Sequence, residues 1–74
     1  MEVLAEGRLT WHRGELARIV LSAPARRNAI SRTMWAALPP LCAAIAADEG
    51  VRVVLVQAEG EVFSAGADIG EFAE

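Results

Sequence analysis

The stretch Val62-Phe63-Ser64-Ala65-Gly66-Ala67-Asp68-Ile69-Gly70-Glu71-Phe72 organises the rest of this 74-residue chain. It follows the most strand-like run of the sequence, Val51 to Gln57, and leads into the start of a helix. A strand, a tight turn and a helix start often present backbone N–H groups to a ligand. The first amides of a helix have no internal partner, and they lie at the positive end of its dipole. This pattern favours main-chain stabilisation of a developing oxyanion.

Three small residues, Ala65, Gly66 and Ala67, form the centre of this turn. Gly66 allows the backbone to bend or to approach a ligand closely, and the short alanine side chains leave their amides open. The three amides are therefore the candidate anion-binding groups. The alternative is a turn whose small residues only allow a helix to pack tightly on a sheet.

The composition is that of one small domain with an excess of apolar residues. Apolar residues make up 54% of the chain, more than a lone domain of this size is expected to bury, which indicates a piece of a larger protein or an oligomer. The net charge is −3 and no basic stripe occurs, so nucleic acid is not an expected partner. One cysteine and one histidine predict neither an internal disulfide nor a metal site.

No membrane or targeting segment is predicted. No apolar run approaches the length of about 20 residues that a membrane-spanning helix needs. Residues 1–8 are acidic and broken by charge, unlike a signal peptide, so a cytoplasmic location is the expectation.

The first part of the chain predicts a β-hairpin. One strand covers Val3 to His12, a second covers Leu16 to Leu21, and the connecting turn pivots on Gly14. His12 stands beside charged neighbours at this turn, so it is interpreted as a solvated residue rather than a catalytic one.

A loop from Ser22 to Ala29 follows the hairpin. Arg26 and Arg27 place two cationic forks on this loop, and such a pair suits a phosphate group. An ordinary exposed charge pair is the alternative. Asn28 is flanked by small or flexible positions, which indicates that its side chain bonds to nearby backbone.

A helix is predicted from the N-cap Ser31 to about Ala47. The residues Asp48-Glu49-Gly50 are expected to end it, with Gly50 as the C-terminal cap. Pro39 and Pro40 lie in its middle and predict a kink or the start of a new helix, because proline removes a backbone donor. The helix is expected to be buried on more than one side, with Cys42 in the core. Its apolar face and the residues that widen it are Met34, Leu38, Leu41, Ile45, Trp35 and Cys42.

The run Val51 to Gln57 is nearly continuous and β-branched, as in a strand covered on both faces of a parallel sheet. A right-handed crossover would place it parallel to the strand Leu16 to Leu21. The loops that follow the two strands then lie at one end of the sheet, where open α/β sheets bind ligands. The arginine loop and the Ala65–Ala67 turn are therefore predicted to converge on one site.

Two motifs in order resemble the crotonase (enoyl-CoA hydratase/isomerase) family. The segment Leu21-Ser22-Ala23-Pro24-Ala25-Arg26-Arg27-Asn28-Ala29-Ile30 resembles the family pattern L-x-x-P-x-x-x-N-A-hydrophobic. The segment Phe63-Ser64-Ala65-Gly66-Ala67-Asp68-Ile69 resembles the pattern F-(S/C/A)-A-G-A-D-(L/I). The helix and strand between them also fit in order and length, so the resemblance spans essentially the whole chain.

The resemblance implies an α/β fold of ββα units in a spiral, with residues 1–74 as the N-terminal portion of one domain. It implies acyl-CoA substrates, no separate cofactor, a homotrimer or hexamer, and a thioester carbonyl held between two backbone N–H groups. Ala67 matches the first of these donors, and the second lies in a later part of the family's chain. The segments that match coenzyme A contacts contribute Ala25, Arg26, Arg27, Ala65, Gly66, Asp68 and Ile69.

Two departures from the family are apparent. Gly70 stands where many members carry lysine or another long polar residue, and the family chain is several times longer than this one. The family's acid and base carboxylates belong to that later part. Glu71 and Glu74 are interpreted instead as acidic residues in the first turn of a helix, where the dipole favours them.

Three functions remain open from the sequence. The first is an acyl-CoA enzyme, with hydration of a 2-enoyl-CoA as the commonest family reaction. The second is a non-catalytic fragment or interaction module, which would need a partner for its exposed sheet edge. The third is an unrelated α/β domain with a phosphate-binding turn.

Overall fold

A computed structural model describes residues 1–72, which form one four-stranded sheet with a long helix packed on it. The strands follow one another across the sheet in chain order. The first three strands are antiparallel, and the fourth runs parallel to the third. The strands are β1 (Glu2–Leu4), β2 (Leu9–His12), β3 (Leu16–Leu21) and β4 (Val53–Ala58), and the α-helices are α1 (Arg32–Ala47) and α2 (Ile69–Phe72).

The predicted hairpin and the parallel crossover are confirmed by the register of the sheet. Trp11 of β2 pairs with Ile19 of β3, and Leu16 at the start of β3 pairs with Val53 of β4. The single strand predicted from Val3 to His12 is wrong, because a 3-10 turn at Ala5–Gly7 divides it. All three residues of that turn have positive φ, which is incompatible with an extended strand.

Helix α1 begins as predicted, with the Ser31 hydroxyl accepting the Met34 N–H at 3.3 Å. The prediction of a second helix at Pro39 is wrong, because α1 runs unbroken through both prolines. Proline has a φ close to the helical value, and the carbonyls that lose their donors belong to exposed residues, where water can solvate them.

The predicted end of α1 near Ala47 is confirmed, but the prediction of Gly50 as its cap is wrong. The helix ends at Ala47 with Asp48 as its C-cap, and Asp48 Oδ1 accepts the Gly50 N–H at 2.9 Å. Gly50 therefore belongs to the turn after the cap. Its φ is not in the left-handed region that a glycine helix cap usually adopts.

The core lies between one face of the sheet and one face of α1. Trp35 is 50% exposed and Cys42 is exposed, so the predictions of a helix buried on several sides and of a core cysteine are wrong for residues 1–72. The physical reason is that the sheet covers only the inner side of α1. The buried apolar residues are Leu9, Trp11, Ala17, Ile19, Leu21, Met34 and Leu41.

Strand β4 forms the edge of the sheet and is exposed along its length. Its four apolar residues from Val53 to Val56 are each between 39% and 57% exposed, so the prediction that both faces are covered is wrong for the described chain. Helix α1 lies over β2 and β3, as the core residues show, and does not reach the edge. No helix among residues 1–72 has the length and hydropathy that crossing a membrane requires.

Candidate active site

The loops that follow β3 and β4 meet at the same end of the sheet. A parallel bridge joins Ile30 to Ala67. The Ile30 N–H donates to the Gly66 carbonyl at 2.7 Å, and the Asp68 N–H donates to the Ile30 carbonyl at 3.0 Å. The predicted convergence of the arginine loop and the small-residue turn is therefore confirmed.

The bridge leaves the amide of Ala67 without a partner. In a parallel pair, the residue opposite Ile30 points its own N–H and C=O to the other side of its strand. Ala67 is exposed, and its N–H makes no hydrogen bond within residues 1–72. An exposed, unpaired N–H on an ordered segment is a donor available to an anion.

The other amides of the turn are already engaged. The Ala65 N–H donates to the Arg27 carbonyl at 2.9 Å, and the Gly66 N–H donates to the Ser64 hydroxyl at 3.0 Å. The expectation that Ala65, Gly66 and Ala67 all offer amides is therefore wrong for the first two. The Ala65 bond ties the turn to the arginine loop, and the Gly66 bond closes the turn on its own Ser64 side chain.

Asp68 is buried and joins the turn to two neighbours. Its Oδ1 accepts the Gly70 N–H at 3.1 Å, which caps the start of α2, and its Oδ2 pairs with Arg26 Nη2 at 3.1 Å. Both side chains were predicted to contact coenzyme A. The structure brings them into contact with each other across the two loops.

The remaining predicted contact residues are exposed around Ala67. Ala25 lies in the 3-10 turn Pro24–Arg26, and Arg27 follows it in a left-handed conformation with φ 55°. The Arg27 side chain makes no hydrogen bond or ion pair within residues 1–72. Ile69 opens α2 and is 81% exposed.

Asn28 is a structural element of the site that the sequence indicated only in part. The predicted local bond is present, since its Oδ1 accepts the Ala23 N–H at 2.9 Å. Its Nδ2 also donates to the carbonyls of Glu59 and Val62 at 2.7 and 2.8 Å. These long-range bonds join the two loops. Asn28 also has a left-handed φ of 53°, which Asn tolerates better than most residues. The local sequence pattern did not indicate this conformation.

A second glycine brings the loops close together. Gly60 has φ 81°, and a Cβ placed on it would lie 2.9 Å from the Pro24 Cβ. A side chain at this position would therefore push the β4 turn away from the arginine loop. The close approach explains why the turn after β4 needs glycine here.

A cleft of about 590 Å³ lies at the opposite end of the sheet and is separate from this site. It contains the ion pair between Arg13 Nε and Asp48 Oδ2, at 2.6 Å. The hydrogen bond from Arg13, with a second from the Gly50 amide, lowers the pKa of Asp48 below its usual value. No residue of the two converging loops lines this cleft.

The acidic residues after the turn remain outside this description. The backbone of Glu71 belongs to α2, but its side chain lies outside the described part of the chain, as does Glu74. Their predicted place in the first turn of a helix therefore stays a prediction for the side chains.

The mixed sheet, the crossover helix and the paired loops define a class of protein, the crotonase fold. A sequence model of the family Enoyl-CoA hydratase/isomerase matches residues 16–74. The chain belongs to this family, as its two motifs indicated.

A similar protein from mouse supports the assignment. A mouse protein named enoyl-CoA hydratase domain-containing protein 3, mitochondrial, is 40% identical over 72 residues, which cover 95% of this chain and 24% of the mouse protein. The chain thus spans about a quarter of that relative's length.

Solved structures give the same result. A crystal structure of an enoyl-CoA hydratase/isomerase from Xanthobacter autotrophicus Py2 superposes with a TM-score of 0.77 at 33% identity, covering 85% of this chain and 24% of the other. That of an enoyl-CoA hydratase from Mycobacterium tuberculosis H37Rv has a TM-score of 0.81 at 28% identity, covering 89% and 30%. The N-terminal crotonase-like architecture expected from the motifs is confirmed.

Proposed function

We propose that the protein binds an acyl-CoA thioester and stabilises its enolate through the N–H of Ala67, with hydration of a 2-enoyl-CoA as the reaction. The observation that supports this most directly is the Ala67 amide. It is exposed and has no partner within residues 1–72, whereas the amides of Ala65, Gly66 and Asp68 are all engaged. A fixed donor of this kind is suited to charge that appears on a carbonyl oxygen during reaction.

The chemistry follows from the position of the donor. When water adds to C3 of a 2-enoyl thioester, the electrons of the double bond move onto the thioester oxygen and form an enolate. The Ala67 N–H donates to that oxygen, and a second donor from later in the chain completes the pair. Protonation at C2 then gives the 3-hydroxyacyl product. Asp68, the carboxylate next to Ala67, is paired with Arg26, so the acid and base groups are proposed to come from the later part of the chain.

Arg27 is proposed to contact a phosphate of coenzyme A, because it is exposed and lies in the loop that bonds to the turn bearing Ala67. Ala25, Gly66 and Ile69 are proposed to line the path of the same group, which enters as part of the substrate. The trimeric or hexameric assembly and the cytoplasmic location also stay predictions.

A non-catalytic interaction module is the second candidate, favoured by one observation. The apolar residues of the edge strand β4 are exposed. A chain that ended with this edge uncovered would need a partner to cover it. Enzymatic turnover by the full-length protein distinguishes the two candidates.

The test compares two substitutions at Ala67 in the full-length protein. Ala67→Pro removes the N–H, and Ala67→Ser keeps it. We expect Ala67→Pro to lower kcat for 2-butenoyl-CoA hydration by about 100- to 1,000-fold, the usual effect of losing one oxyanion donor, whereas Ala67→Ser stays within about tenfold of wild type. Loss of the enoyl thioester absorbance measures the rate.

Two results would count against the proposal. Near-normal turnover by a folded Ala67→Pro variant would show that this amide is not the donor. No hydration of any 2-enoyl-CoA by the wild-type protein would favour the interaction module.

A further inference from the structure

The buried side chain of Asn28 joins the two loops near the candidate site through bonds to three backbone positions. It is 0% exposed and uses its carbonyl oxygen and both amide hydrogens in hydrogen bonds of 2.7–2.9 Å. The bonds reach Ala23 in its own loop, and Glu59 and Val62 in the loop after β4. An amide in this position fixes the distance between the two loops.

The backbone of the same residue continues the connection toward Ala67. The Asn28 carbonyl accepts the Ser64 O–H at 2.8 Å, and the Ser64 hydroxyl in turn accepts the Gly66 N–H at 3.0 Å. Gly66 has φ 93°, so its orientation is one that few residues adopt without support. The peptide that follows Gly66 carries the N–H of Ala67.

We propose that Asn28 is a positioning residue for the Ala67 donor, acting through Ser64, and that it does not itself touch the substrate. The inference rests on the proposed function of Ala67. The Asn28 side chain holds its own residue between the two loops, and its backbone carbonyl holds the Ser64 hydroxyl. That hydroxyl accepts the Gly66 N–H, one peptide before the donor, and the four distances lie between 2.7 and 3.0 Å.

The effect on catalysis depends on small displacements of the Ala67 donor. A preorganised donor stabilises a transition state only when it is held within about 0.5 Å of the productive position. A misplacement of about 1 Å reduces rates by about 100-fold. Loosening the Gly66 peptide should therefore reduce catalysis before it reduces substrate binding.

The first variant is Ser64→Ala in the full-length protein, because it removes one half-buried hydroxyl and leaves Asn28 in place. We expect kcat to fall about tenfold with KM within about twofold, since the donor acts mainly on the developing oxyanion. Ser64→Thr keeps a hydroxyl and should recover most of the lost kcat.

Ser22→Ala is the matched control. The Ser22 hydroxyl is also half-buried and also donates to a backbone carbonyl, that of Val20 at 3.2 Å, but it has no bond to the turn that bears Ala67. We expect this variant to keep wild-type kcat. An equal fall in kcat for both serine variants would show a general effect of stability and overturn the proposal.

Asn28→Asp tests whether the Asn28 side chain is the group that holds the two loops together. It keeps the shape and the acceptor for Ala23 but loses the donors to Glu59 and Val62. We expect a greater fall in kcat than for Ser64→Ala among molecules that remain folded, as judged by circular dichroism. If this variant does not fold, the serine variants decide the question.

Hydrogen exchange over residues 62–68, measured by mass spectrometry, separates the possible failures. Faster exchange in Ser64→Ala with unchanged kcat would show a connection that does not position the donor, and would overturn the inference alone. Unchanged exchange in Ser64→Ala would show that the Ser64 hydroxyl does not hold this turn, and would also overturn the inference. A wild-type protein without any acyl-CoA turnover would overturn the proposed function, and the inference with it.

Discussion

Arg26 and Arg27 are adjacent in sequence but have different environments. Arg26 ends a 3-10 turn and pairs with the buried carboxylate of Asp68, whereas Arg27 adopts a left-handed conformation and its exposed side chain makes no ion pair within residues 1–72. The Arg26 side chain is 53% exposed, so its ion pair is expected to add at most about 1 kcal/mol to stability. Of the two, Arg27 is better placed to meet a phosphate from solvent.

Alanine substitutions of the two arginines should therefore differ. We expect Arg27→Ala to raise KM for an acyl-CoA about tenfold with kcat nearly unchanged, because a phosphate contact remote from the reacting carbon stabilises substrate and transition state alike. Arg26→Ala should raise KM less and lower the melting temperature slightly. Steady-state kinetics and thermal denaturation measure both effects, and equal KM increases would show that both side chains contact the substrate.

At the scale of elements, α1 is an unusual helix because two consecutive prolines lie inside it. Pro39 and Pro40 remove the donors that would bond to the carbonyls of Trp35 and Ala36, four residues earlier. Met34 and Leu41 hold the helix on the sheet on either side of the prolines. Tertiary packing thus maintains a helix that local preference alone would interrupt.

Replacing one of these prolines should stabilise the protein. We expect Pro39→Ala to raise the free energy of unfolding by about 1 to 3 kcal/mol, because it restores a backbone bond in an exposed helix interior. Pro24→Ala is the control, since Pro24 lies at the start of a 3-10 turn where no donor is needed and its loss should give no gain. Urea denaturation provides the measurement, and a lower stability for Pro39→Ala would contradict the expectation.

At the scale of the molecule, the sheet is covered unevenly. The core gathers between α1 and strands β2 and β3, whereas β4 has a bonded neighbour on one side only. Its exposed valines and leucine, together with the exposed Trp35 of α1, leave much apolar surface open to solvent in residues 1–72. An unpaired edge strand of this composition favours association with another chain.

We expect the 74-residue polypeptide by itself to associate in a concentration-dependent manner. The double substitution Val54→Lys and Val56→Lys places charges on one face of β4 and should reduce the association. Val3→Lys is the control, because Val3 is also an exposed strand valine but lies on β1, at the opposite edge of the sheet. Sedimentation velocity measures the change, and a monodisperse monomer at high concentration would contradict the expectation.

The sequence by itself determined the features that depend on neighbouring residues and on periodicity. The Ser31 cap, the strand Leu16 to Leu21, the parallel pairing of the two later strands and the meeting of the two loops were all predictable. Each arises from local hydrogen bonding, from alternating or continuous apolar runs, or from the handedness of the crossover. The paired motifs, read in order, were enough to indicate the family.

Only the tertiary structure decided which groups are already engaged. It showed that the Ala65 amide is bonded to the other loop and the Gly66 amide to its own turn, while the Ala67 amide has no partner among residues 1–72. Arg26 is paired with Asp68, and Asn28 joins the loops. It also showed that α1 continues through its prolines. The side-chain contacts between the two loops join residues 31 to 42 positions apart in the chain. Such contacts form only when the sheet brings the loops together, and no local pattern records them.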